Sequence, residues 1–67
     1  MANTTNTTPQ VLIYGTLSDI ENKTPTIRTF DNLGNAHLWA EMIFSANTFS
    51  LIKVLDKNGN LYLELEN

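Results

Sequence analysis

Residues 27–41 read IRTFDNLGNAHLWAE and residues 52–66 read IKVLDKNGNLYLELE. Laid together they agree at six of fifteen positions: Ile27/Ile52, Asp31/Asp56, Gly34/Gly59, Asn35/Asn60, Leu38/Leu63 and Glu41/Glu66. Arg28 and Lys53 match in charge. The reading of the first copy decides the fold. Taken alone, NAHLWAEMIFSA suits a short helix capped by Asn35, since Ala, Leu, Glu and Met are good helix formers. Its counterpart NLYLELE alternates apolar and polar residues, the period of a half-buried strand. Each copy is centred on D-x-x-G-N. Asp at the first turn position accepts from backbone N–H groups two or three residues on, and Gly at the fourth supplies positive φ. That is the three-residue hairpin loop, a type I turn closed by a glycine bulge. Convergence on one turn chemistry and ancestral duplication both make each copy a hairpin, so the first copy is also expected to be a strand.

Upstream, QVLIYGTL is rich in β-branched and aromatic residues and reads as a strand, with Gly15 marking a bulge or a close backbone approach. SDIENKTPT reads as a polar loop, and Pro25 suits a turn or the start of an edge strand. Five strands result, at about 10–17, 26–31, 35–44, 48–56 and 60–66. The expected fold is all-β: a single five-stranded antiparallel meander, curled into a small SH3-like or OB-like barrel that shortens exposed edges. Residues 1–9, MANTTNTTP, lack hydrophobic periodicity and are expected to form a flexible polar arm ahead of one small domain at 10–67.

A chain of 67 residues buries only about 60% of its unfolded surface. Domains this small add disulfides, a metal or oligomerisation. Cysteine is absent and His37 is the only histidine, so disulfides and a structural zinc both lack ligands. Association with a second copy or a larger protein is the remaining device. The net charge of −3, with only Lys23, Arg28, Lys53 and Lys57 basic, disfavours nucleic acid as a partner and is too mild for a DNA mimic. No apolar run approaches the roughly 20 residues of a membrane span, and no secretory signal pattern is present. The expected location is cytoplasmic, or a virion if the protein is phage-encoded. Three N-x-[ST] triplets therefore count as composition. Asn and Thr, nine each, suggest an AT-rich genome.

Alternation outward from the two turns assigns the faces. Phe30, Ala36, Leu38, Ala40, Met42 and Phe44, with Phe49, Leu51, Leu55, Leu61, Leu63 and Leu65, form the expected core, and Arg28 and Lys53 snorkel to its rim. The opposite face gathers Trp39, Tyr62, His37, Ile43 and Ile52, with Ile27, Val54, Glu41 and Glu64. So apolar a second face marks an interaction site, and Trp and Tyr dominate interface hot spots. The candidate protein-binding residues are Trp39, Tyr62, His37, Ile43, Ile52, Glu41 and Glu64. The competing reading makes this face a second small core under the arm or the 18–25 loop.

The chemistry-bearing alternatives are weak. DKNGNLYLELEN fails as an EF-hand loop, because Leu61 and Asn67 hold the places of the required Gly and Glu. Ser18, Ser45 and Ser50 sit in no nucleophile motif. No catalytic residue, metal or cofactor is expected. The expected function is a non-catalytic interaction or structural module, of the kind carried as phage or mobile-element accessory proteins, either virion components or host-enzyme inhibitors. The alternative is a small barrel that binds single-stranded nucleic acid by stacking bases on Tyr14, His37, Trp39 and Tyr62.

Overall fold

The computed structural model describes residues 8–46 and 49–67. Its six elements are, in chain order, β1 (Gln10–Tyr14), α1 (Leu17–Asn22), β2 (Thr26–Thr29), α2 (Leu33–Ala46), β3 (Leu51–Leu55) and β4 (Leu61–Glu66). The strands form one sheet in the order β2-β1-β3-β4, antiparallel at each interface. The helix α2 packs on one face. The sheet is not closed, so four strands and two helices replace the expected five-stranded barrel.

The largest correction is at residues 35–44, which are helical. Asn32, not Asn35, caps α2: its Oδ1 accepts from the Asn35 N–H at 2.8 Å, and its carbonyl accepts from the Ala36 N–H at 3.2 Å. Gly34 lies inside the first turn, and Gly59 alone among the described glycines has positive φ. Leu33, Ala36, Ala40, Ile43 and Phe44 then fall on one stripe at helical spacing and meet the sheet. The second pentapeptide does form the expected hairpin. Asp56 Oδ1 accepts from Asn58 and Asn60 N–H groups at 2.9 Å each, and Gly59, at φ 86°, closes the turn. One motif thus serves two structures, because an Asx side chain that captures N–H groups two or three residues on can open a turn or a helix.

The expected first strand, 10–17, ends at Tyr14, and α1 takes its last residue and most of the expected 18–25 loop. Thr16 and Asp19 make a reciprocal capping box: Thr16 Oγ1 accepts from the Asp19 N–H at 3.1 Å, and Asp19 Oδ2 accepts from the Thr16 N–H at 3.2 Å. At the other end Lys23 turns left-handed (φ 57°, ψ 47°), and the N–H groups of Lys23 and Thr24 bond back to Ile20 and Asp19 carbonyls. This is a Schellman closure with lysine where glycine is favoured.

Register explains which strand residues are buried. The hairpin starts with Leu55 opposite Leu61, but a bulge then sets Val54 opposite Leu63 and Ile52 opposite Leu65. One extra residue exchanges the faces of one strand against the other. Ile52 and Val54, expected on the outer face, are therefore fully buried, along with Val11, Ala36 and Ala40. Burying each of the three branched side chains contributes about 1.5–3 kcal/mol. The two alanines bring the helix close to the sheet. Leu38 and Met42, expected in the core, are 68% and 59% exposed on the far side of α2.

The expected arm lies partly outside the described residues. At its near end Pro9 is buried, and its carbonyl accepts from the Phe30 N–H at 2.9 Å. That bond extends the β1/β2 ladder beyond Gln10 and Thr29.

Candidate functional site

The seven expected site residues divide into four places. Ile52 belongs to the core, and Ile43 packs against it from α2. Trp39 is half-buried on the flank of α2 nearest β2. Its ring lies 5.3 Å from that of Phe30, tilted by 47°, and the Arg28 guanidinium sits 5.0 Å over its centroid. Arg28 thus leaves the sheet to cover an aromatic face, a cation–π contact, and keeps its charge in water.

His37, Glu41 and Tyr62 assemble on the opposite flank, where α2 meets β4. Positions 37 and 41 are one helical turn apart and share a face. His37 Nε2 stands 3.2 Å from Glu41 Oε2, and Nδ1 stands 3.0 Å from the Tyr62 hydroxyl. The imidazole meets the phenol ring edge-on, with centroids 5.4 Å apart. A neutral imidazole protonated at Nε2 satisfies both neighbours, donating to the carboxylate and accepting from the hydroxyl. The contact bridges 25 residues of sequence and fastens the helix to the edge strand. Glu64, the seventh residue, lies farther along β4 on the face away from α2, opposite Lys53.

Next to these residues in sequence are exposed apolar side chains that alternation assigns to the core. Leu38 and Met42 come one residue after His37 and Glu41 on α2, and Leu61 precedes Tyr62. Their exposures, with 46% for Tyr62 and 55% for Leu61, make these four of the six most exposed large hydrophobic residues among those described. The signal that would have found them is the spacing of Leu38 and Met42, i and i+4, off the Ala36/Ala40 stripe.

A cleft of about 340 Å³ opens elsewhere, between the two pentapeptides, lined by Pro9, Asp31, Asn32, Leu33, Asp56, Lys57 and Asn58. Two of its polar groups are already engaged: Asp56 accepts from the turn's own N–H groups, and Asn32 caps α2. Among the described residues no three His, Cys, Asp or Glu side chains converge as a metal site, and no helix is long and apolar enough to cross a membrane. Comparisons with protein-family models, curated proteins and solved structures found no match to the chain.

Proposed function

We propose that the protein is a non-catalytic protein-binding module that docks through the strip made by the outer face of α2 and the start of β4, with a second copy as its first partner. The observation that carries this reading is the exposure of Leu38 and Met42 on the outer face of α2, each next in sequence to a member of the His37–Glu41 pair that Tyr62 ties to β4. A patch of exposed apolar side chains beside a few fixed polar groups is the composition of an interface centre. The small core, in which two of the six buried hydrophobic residues among those described are alanines, gives association something to add to stability.

The chemistry on the same surface does not favour an enzyme. Carboxylate, imidazole and hydroxyl occur in the order of a nucleophile triad, but Glu41 is 54% exposed on a helix flank and the cleft lies at other residues. Base stacking is disfavoured because Trp39 packs on Phe30 and lies under Arg28, which leaves few free rings beside few cations.

The test is light scattering on a sizing column across a concentration range, with the Leu38→Glu/Met42→Glu double variant alongside. Mass that rises with concentration for the parent chain but not for the variant, at unchanged far-ultraviolet circular dichroism, is the expected outcome. A parent chain that stays monomeric throughout refutes self-association.

A further inference from the structure

The edge of β4 is a second, separate feature. In β1 the Phe30-to-Pro9 bond marks odd residues as facing β2, so even residues face β3. Through the β1/β3 register, Leu51, Lys53 and Leu55 then face β1, and Ile52 and Val54 face β4. The bond from the Asn67 N–H to the Ser50 carbonyl agrees with this phase. The backbone N–H and C=O groups of Glu64 and Glu66 consequently point outward from the sheet, unlike those of Leu63 and Leu65.

The side chains along this edge alternate in the same way. Leu63 and Leu65 lie on the helix-covered face against the core. Glu64 and Glu66 are exposed on the other face, where Glu64 stands opposite Lys53 and Glu66 opposite Leu51. A strand added beyond β4 would place one set of its side chains beside the two glutamates and the other beside the two leucines. A second copy adding its own β4 antiparallel would bring glutamates against glutamates, which is destabilising. The opposite edge, β2, offers only four residues.

We infer that β4 is a docking edge for an extended segment in which basic and apolar side chains alternate, bound by strand addition. The basic side chains continue the Lys53, Glu64 row with alternating sign, and the apolar ones extend the Leu63/Leu65 face of the sheet. The glutamates therefore act twice: they discourage like-with-like pairing of edges and select a partner of opposite charge. This inference rests on the protein-binding reading above but uses a different surface, so each can fail without the other.

The probe is a seven-residue peptide, blocked at both ends, alternating lysine and valine, titrated into isotope-labelled protein while backbone amide resonances are followed. The largest shifts are expected at Glu64 and Glu66, whose N–H groups face the added strand. The Glu64→Gln/Glu66→Gln variant should bind about two- to thirty-fold more weakly, the range for loss of two cross-strand charge pairs. The same peptide N-methylated at alternate residues should not bind if backbone hydrogen bonds carry the contact. Equal binding by the N-methylated peptide, or by a peptide with its four lysines grouped at one end, would reduce the contact to general charge attraction and overturn strand addition. Shifts confined to α2, or none at all, would also overturn it. Light scattering on the peptide-free protein keeps this result separate from self-association.

Discussion

Gly34 and Gly59 hold the same place in the two pentapeptides, yet alanine should act on them with opposite sign. At Gly59 φ is 86° and a Cβ would meet nothing within 4 Å, so the cost is entirely backbone. Holding a residue with a side chain in the left-handed region costs roughly 1–2 kcal/mol. Alanine recovers about 0.4–1 kcal/mol of that by restricting the unfolded chain. Gly59→Ala should therefore destabilise by about 1 kcal/mol. At Gly34 the backbone is helical, and the atom nearest to an added methyl, Asn32 Oδ1, is 3.4 Å away. Alanine exceeds glycine by up to about 1 kcal/mol in a helix interior. In this first turn, beside the cap, a gain of about 0.5 kcal/mol is expected. In a domain of this size 1 kcal/mol moves Tm by about 4–8 °C, so the two variants should melt roughly 6–12 °C apart on either side of the parent. Thermal unfolding followed at 222 nm is the assay, with urea titration to check that the m-value is unchanged. Equal losses at both positions would mean that residues 31–35 form a second hairpin, and the assignment of α2 would fall.

Trp39→Ala should destabilise the protein by about 2–3 kcal/mol, below the full cost of removing a buried Trp because this one is only half-buried. Unchanged urea unfolding would mean that its packing on Phe30 and its cover by Arg28 contribute nothing. Lys23→Gly should raise stability by roughly 0.5–1 kcal/mol by removing left-handed strain at the Schellman position. A lower Tm would contradict the closure described for α1.

Four of the five expected strands correspond to real ones, because β1, β2, β3 and β4 carry local signals: β-branched or alternating residues bounded by Pro, Gly and Asp. The failure at α2 has a specific cause. Six identities with a true hairpin outweigh a helical stripe written in Leu33, Ala36, Ala40, Ile43 and Phe44, although identity at turn positions reports Asx chemistry rather than the conformation of the residues beyond the turn. The short helix α1 is also legible, in the Thr16–Asp19 capping box, although its composition reads as polar loop. The site is partly legible: alternation groups His37, Glu41 and Tyr62, and they do meet. It also groups Trp39, Ile43, Ile52 and Glu64 with them, and these four lie elsewhere. Trp39 lies half a helical turn or so from His37 and reaches the other flank, and the bulge turns Ile52 inward. Neither a bulge nor a helix's rotation can be read from alternation alone, since both depend on partners distant in sequence.

The sheet order β2-β1-β3-β4 also sets a sequence of events in folding. β1 and β2 lie close in the chain, as do β3 and β4, and each pair can form early at little cost in loop entropy. The sheet becomes continuous only when β1 meets β3, whose paired residues are separated by 37 (Tyr14 to Leu51) to 45 positions (Gln10 to Leu55). Until then Val11 and Ile13 have no β3 partner, and α2 has half a surface to rest on. During synthesis the N-terminal pair must therefore wait, one edge open, until β3 has been made. The β1/β3 seam is thus expected to form late, so substitutions there should act mainly on the unfolding rate, whereas those in the β3/β4 turn should act on folding.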